Sequence, residues 1–245
     1  MLLKDGIKMK KTVMITLLSA ATLLLFANTA DAKSFDDKTD VGVNFKSDEP
    51  TVQGENKPYK DNLALVWKPS SFQFGEQKAV GNSATFSNVI QSNQYLIVND
   101  DRKTVSTPWA LKASLSELKS TDGSKSLASK LTFALSDAQS YTIGDTIGED
   151  NDYIPNKPEA SGSLGTLDPN AGITLGDGKV KAMTLVAGET TGQAVLEKKA
   201  ANDVKGGVAT LIKDAKLVVT DAKADQAAGE SFTGYVTWTL DDLQP

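Results

Sequence analysis

From Asn62 onward the chain reads as short apolar runs separated by turn formers, the signature of many strands. Leu63 to Trp67 is one such run, ended by Lys68-Pro69-Ser70-Ser71, and Gln94 to Val98 is another, closed by Asn99-Asp100-Asp101. Trp109, Leu111, Ala113 and Leu115 then recur at period two, which places all four on one face of a strand. Leu127, Leu131, Phe133 and Leu135 predict a further strand or strand pair. Ile173-Thr174-Leu175 and Val180 to Val186 flank Gly176-Asp177-Gly178, which predicts a hairpin. Lys216 to Thr220 and Phe232 to Leu240 complete the set. In the last run Phe232, Gly234, Val236, Trp238 and Leu240 share one face, and Thr233, Tyr235, Thr237 and Thr239 share the other. Helical patterning is sparse, confined to Gln193 to Asp203 and a turn beginning at Leu115 to Leu118. The expected fold is all-β, an antiparallel β-sandwich or barrel-like Greek-key domain with little helix. One long loop rich in Gly, Pro and Asp, Gly144 to Gly172, interrupts it, and two readings of that loop stay open: an insertion carrying specificity, or an unstructured excursion.

The flanks differ in character. Residues 33–61 are polar and acidic, which predicts an extended lead-in. The alternation of Val41, Val43 and Phe45 leaves room for a short edge strand. Residues 1–32 read as a secretory signal peptide, with a basic start (Lys4, Lys8, Lys10, Lys11), an apolar run from Val13 to Phe26, and Ala30-Asp31-Ala32 before a cleavage point at Lys33. Met9 is an alternative start, since Met9-Lys10-Lys11 supplies the same basic segment. The apolar run of 14 residues falls short of the ~20 needed to span a bilayer, and no second run of spanning length follows. The expected organisation is a signal peptide at 1–32, a lead-in at 33–61 and one β domain at 62–245. The mature protein is expected outside the cell, soluble or held by non-covalent contacts.

Composition narrows the chemistry sharply. Among 245 residues there is no His and no Cys. That excludes a Ser-His-Asp triad, an imidazole base, a thiol nucleophile, a disulfide and a thiolate zinc site. An exported chain without Cys fits an organism whose secreted proteins do without disulfides. Asp plus Glu number 31 against 26 Lys plus Arg. Loss of the leader's four Lys and two Asp leaves 22 basic against 29 acidic residues, a net charge near −7. Such a surface repels nucleic acid and anionic bilayers, so neither is an expected partner.

The remaining motifs point away from catalysis. Gly176-Asp177-Gly178 has Lys181 where a phosphate cradle needs a third glycine, so it reads as a turn. Glu149, Asp150, Asn151 and Asp152 group oxygen ligands suited to calcium. They lack the glycine and distal glutamate of the known loop, which favours a solvated acidic turn. Nothing singles out two carboxylates for glycoside hydrolysis. Arg102, the single arginine, is suited to clamping an anion, yet a local pair with Asp100 or Asp101 is the simpler reading. No enzyme activity, metal or cofactor is expected.

Two tripeptides stand out. Trp109-Ala110-Leu111 and Trp238-Thr239-Leu240 repeat a Trp-x-Leu spacing about 130 residues apart, and each puts an indole beside an isobutyl group on one strand face. Either both plates lie in a sandwich core, as large aromatics mostly do, or they form an exposed ledge that binds a partner.

At these residues the sequence resembles the WxL family of Gram-positive cell-surface proteins. Trp67-Lys68-Pro69-Ser70-Ser71-Phe72-Gln73-Phe74-Gly75 is similar to an early family segment, and Tyr95 to Arg102 to the segment before the first Trp-x-Leu. Gly229 to Pro245 resembles the terminal signature. The resemblance implies a non-catalytic protein attached non-covalently to the cell wall, with peptidoglycan as ligand and Trp109, Leu111, Trp238 and Leu240 as candidate binding residues. It also implies partners: a membrane-anchored WxL-interacting protein and other WxL proteins. The alternative within the same resemblance is a protein-interaction module or adhesin for which wall binding is secondary. Residues 33–61 are too few for a separate adhesive module, so a small, domain-only member is the expectation.

Overall fold

In a computed structural model of the chain, the described residues are 34–42, 51–55, 57–77, 83–104, 107–144, 147–148, 151–176, 181–199, 205–221 and 229–243. The leader reading at 1–32 and the Val43 and Phe45 positions lie outside them. Sixteen strands and no helix make up the secondary structure of the described residues. In chain order they are β1 (Ser34–Gly42), β2 (Thr51–Gln53), β3 (Leu63–Pro69), β4 (Ser71–Gln73), β5 (Ala84–Ser87), β6 (Gln94–Asp100), β7 (Trp109–Leu115) and β8 (Leu118–Ser120). There follow β9 (Ser126–Leu135), β10 (Gln139–Tyr141), β11 (Leu164–Thr166), β12 (Ile173–Leu175), β13 (Ala182–Val186), β14 (Gln193–Lys198), β15 (Gly206–Asp221) and β16 (Phe232–Asp242).

The expected all-β antiparallel class is what the chain adopts. One unclosed ladder runs β12-β14-β7-β16-β8-β9-β15-β6-β3-β2; off that path β1 pairs with β4, the only parallel strand pair among the described residues. Strand β9 links the two halves, pairing with β8 at its start and with β13 and β15 beyond. The halves form two layers whose inward side chains, among them Leu65, Leu96, Leu131, Leu196 and Trp238, make the main core. Because the ladder does not close, the architecture is a sandwich rather than a barrel.

The uninterrupted apolar runs have a simple cause. Leu63 and Leu65 of β3 and Leu96 and Val98 of β6 enter the main core, while Ala64, Val66, Tyr95 and Ile97 join a second cluster on the opposite face. Strands buried on both sides lose the apolar–polar alternation of half-exposed ones. The chain 151–163 lies beside that second cluster, with Tyr153 and Leu164 packed against it. Gly207 makes room for Tyr141 there, since a Cβ would come within 2.5 Å of the Tyr141 ring.

Three expectations change. Gln193 to Lys198 is strand β14, not helix, because Leu196 pairs opposite Leu111 of β7 with a bulge at Val195. Leu115 and Leu118 likewise sit at a strand end and a strand start. Ile173–Leu175 and Ala182–Val186 do not form a hairpin: β12 pairs with β14 and β13 with β9, in opposite layers. Finally, the polar lead-in supplies β1, which pairs with β16 along nine residues and buries Asp37, Thr39 and Val41.

Candidate functional site

The two Trp-x-Leu motifs meet. Strands β7 and β16 are antiparallel neighbours in which Leu111 lies directly opposite Leu240, Trp238 opposite Ala113, and Trp109 opposite Asp242. The paired leucines mark the centre of a two-fold-like arrangement, with one indole two residues away on either side. All four side chains are buried, at 1% exposure for Trp109 and 0% for Leu111, Trp238 and Leu240. Each therefore fills the core and presents no ledge to solvent.

The two indoles have different neighbours. Trp238 donates from Nε1 to Thr39 Oγ1 at 2.7 Å, and Thr39 donates in turn to the Pro69 carbonyl at 2.7 Å. Its ring meets Phe133 at 6.4 Å, and Phe133 stacks on Phe72 at 6.3 Å. Trp109 Nε1 is buried and has no hydrogen-bond partner among the described residues. Beside its end of the sheet lies a buried ionic cluster. Arg102 forks onto Asp100 through Nε (2.8 Å) and Nη2 (2.9 Å), donates from Nη2 to the Thr107 carbonyl (2.9 Å), and pairs with Asp242 through Nη1. Lys198 Nζ reaches Asp100 Oδ2 at 3.0 Å. Burial disfavours the charge on Arg102, but the bonds it donates to Asp100 and the charges of Asp100 and Asp242 outweigh it and raise its pKa. Arg102 is thus the local partner of Asp100 that the sequence favoured, and it also ties down the end of β16.

Alternation then fixes the outer face. With Val236, Trp238 and Leu240 inward, Tyr235, Thr237, Thr239 and Asp241 point out. Register places Ser114 beside Thr237 and Lys112 beside Thr239, and on the other side Lys38 beside Thr237 and Asp36 beside Thr239. Lys112 pairs with Asp241 at 2.7 Å, and Lys38 Nζ sits 4.2 Å from the Tyr235 ring centroid. The outward face of β16 was legible in the sequence. Its flanking residues from β1 and β7 were not, because they come from positions more than a hundred residues away.

The acidic stretch takes a structural role where it is described. Asp152 is buried and accepts backbone N–H bonds from Tyr59 (2.9 Å), Lys60 (2.8 Å) and Tyr153 (2.9 Å). Burial opposes its charge, yet these donors together hold its pKa below the usual carboxylate value. Glu149 and Asp150 lie outside the described residues. Among the described residues no group of three or more acidic side chains is placed to hold a metal ion. Nearby, Trp67 Nε1 donates to the Tyr141 hydroxyl (3.1 Å), which donates to the Asn156 carbonyl (2.6 Å). Burial pushes the Tyr141 pKa up to about 12.

No curated protein and no solved structure matches the chain. A family model described as "WxL domain surface cell wall-binding" matches residues 36–243, beginning inside β1 and ending just beyond β16. The chain therefore belongs to the WxL family of surface, cell-wall-binding domains.

Proposed function

We propose that this cell-surface domain attaches non-covalently to peptidoglycan through the outer face of β1, β16 and β7, binding its ligand without transforming it. The observation that carries this reading is the register of the two Trp-x-Leu motifs. With indoles and isobutyl groups packed inward, Tyr235, Thr237, Thr239, Ser114 and Lys112 form one rigid row of hydroxyl, aromatic and charged groups. Such groups suit an amide- and hydroxyl-rich polymer. On this reading Trp109, Leu111, Trp238 and Leu240 serve wall binding from beneath, by keeping the strands flat and in register. Residues 1–32 serve as the export signal.

Retention on purified sacculi, with no other protein present, is the test. The combined variant Ser114→Ala, Thr237→Ala, Thr239→Ala changes only half-exposed hydroxyls and is expected to stay folded and lose retention. Unchanged retention would remove the outer face from the reading.

A second reading rests on a different feature. Asn151 N–H donates to the Gly148 carbonyl at 3.0 Å, and Asp152 is held by the Tyr59 N–H at 2.9 Å. Ile147 and Ile154, close by in the chain, are 44% and 55% exposed. Two fixed, solvent-facing isoleucines favour a protein contact, such as a membrane-anchored WxL-interacting protein, another WxL protein or a host-surface protein. Ile154→Asp is expected to abolish capture of such a partner while leaving sacculus retention intact.

A further inference from the structure

We infer that a groove on the opposite layer, where β15 bulges beside the chain from Ser87 to Gln94, binds a wall polymer of repeating polyol phosphates. The site lies apart from the outer face of β1, β16 and β7, so it stands or falls separately from the peptidoglycan reading above.

Register creates the groove. Lys213 of β15 lies opposite Ala134 of β9 and Lys216 opposite Thr132, so three steps along β15 match two along β9. Residues three apart on a regular strand point to opposite faces. The one extra residue, with Asp214 in the left-handed region at φ 51°, leaves both lysines exposed while Ala215 between them is buried. Aspartate adopts that conformation more readily than most side chains, and bulges re-aim side chains beside functional sites. The two lysine positions stand about 6.7 Å apart along the strand, near enough for both flexible arms to reach one anion.

The facing wall is held from several sides. Asn88 donates from its backbone N–H to the Ala215 carbonyl at 2.8 Å, accepts at Oδ1 from the Gln73 N–H at 2.9 Å, and donates from Nδ2 to Gln94 Oε1 at 2.8 Å. Gln94 is buried and donates to the Ser71 carbonyl at 2.6 Å. These bonds tie the turn to β4 and β15 and leave Gln91, Ser92 and Asn93 exposed on the rim. The groove has a volume of about 450 Å³, within the roughly 300–1,000 Å³ of small-ligand sites.

Charge selects the occupant. Lys213, Lys216 and Asp214 line the groove, and neither lysine enters an ion pair among the described residues. Around it stand Lys130, Asp137 paired with Lys181, and Asp221, which register puts opposite Ala128 at the far end of β15. The local balance is therefore positive, four lysines to three aspartates, in a chain of net charge −5. A phosphate takes the ammoniums as point charges. Hydroxyls answer the rim's amides and Ser92, which both donate and accept. A neutral glycan leaves the lysines unanswered, and a polycarboxylate without hydroxyls leaves the rim so.

The experiment measures equilibrium binding of the exported chain to three soluble polyanions of equal charge number, at one salt concentration: poly(glycerol phosphate), polyglutamate and a DNA oligonucleotide. The first is expected to bind about tenfold tighter than either other, the scale of one charge-assisted contact. The double variant Lys213→Gln, Lys216→Gln is expected to lose at least that factor toward poly(glycerol phosphate). Lys199→Gln, Lys205→Gln changes net charge equally at exposed positions outside the groove and is expected to bind as wild type does. All four positions are exposed, so both variants are expected to match wild type in urea titration. Equal binding of the three polyanions, preference for polyglutamate or DNA, or equal losses in the two variants would overturn the groove. Sacculi stripped of phosphodiester-linked polymers by cold acid are expected to retain wild type and the Lys213, Lys216 variant equally. Retention of wild type there, with no preference for poly(glycerol phosphate) in solution, would overturn the groove and leave the peptidoglycan reading standing.

Discussion

The two Trp-x-Leu motifs share a spacing and a core, but not a way of being held. The Trp238 indole sits mid-strand, hydrogen-bonded to Thr39 of β1 and packed on Phe133. The Trp109 indole sits at the end of the sheet, its N–H unpartnered among the described residues, opposite the strand position of a buried, ion-paired Asp242. One tryptophan is fixed by its own bond. The other is fixed by the packing around it and by the salt-bridged end of its neighbouring strand. Identical local sequence thus acquires different energetics from what lies across it.

The largest expected effect breaks the Trp109 end. Arg102→Met removes the guanidinium shared by two buried carboxylates, Asp100 and Asp242, while Lys198 still reaches Asp100. Losing one partner of a buried ion pair costs about 3–5 kcal/mol, which urea titration will measure. Next, Thr39→Val removes the acceptor of the Trp238 indole and is expected to cost about 1–3 kcal/mol, the usual penalty for orphaning a buried donor. Smaller still is the difference between Trp238→Phe and Trp109→Phe. Both shrink the core alike, but only the first gives up a hydrogen bond, so it is expected to be the more destabilising by about 1 kcal/mol. Equal losses would erase the distinction between the motifs.

Two further outcomes extend the contrast from core to periphery. Asp152 has a lowered pKa, so its contribution to docking 151–163 is complete above the ordinary carboxylate value near 3.9 and disappears as pH falls through its lower folded value. Hydrogen exchange at Tyr59, Lys60 and Tyr153 is expected to accelerate on acidification below that range, while exchange in β16 stays slow. Asp152→Ala is expected to accelerate the same three amides at neutral pH. The smallest effect concerns the wall: for a chain of net charge −5, retention on anionic sacculi is expected to rise modestly as salt screens whole-chain repulsion, the Debye length falling to about 10 Å at 0.1 M.

Much of this was legible in the chain. Period two in Phe232 to Leu240 identified both faces of β16, and the punctuated runs identified β3, β6, β7 and β9. What escaped notice did so for physical causes. Strand β1 is polar because its inward Asp37 and Thr39 are answered across the fold, Asp37 by Lys68 at 3.2 Å and Thr39 by Trp238. A single sequence shows such polarity only as a wish for water. Gln193 to Lys198 carries helix-compatible residues, and strand pairing against β7 overrode them. Asp177-Gly178 has the composition of a hairpin turn, but the strands on either side of it pair elsewhere, β12 with β14 and β13 with β9.

The sequence by itself determined that the chain is built of strands, that it lacks imidazole and thiol chemistry, and which side chains of β16 share a face, because side-chain period and composition are local properties. Only the tertiary structure decided that the two tryptophans lie across one pair of leucines. It alone brought Lys38 and Ser114 to flank Thr237, and closed a charged cluster around Arg102. Those are matters of register between distant strands, and register is set by the sum of facing contacts, which no single segment carries.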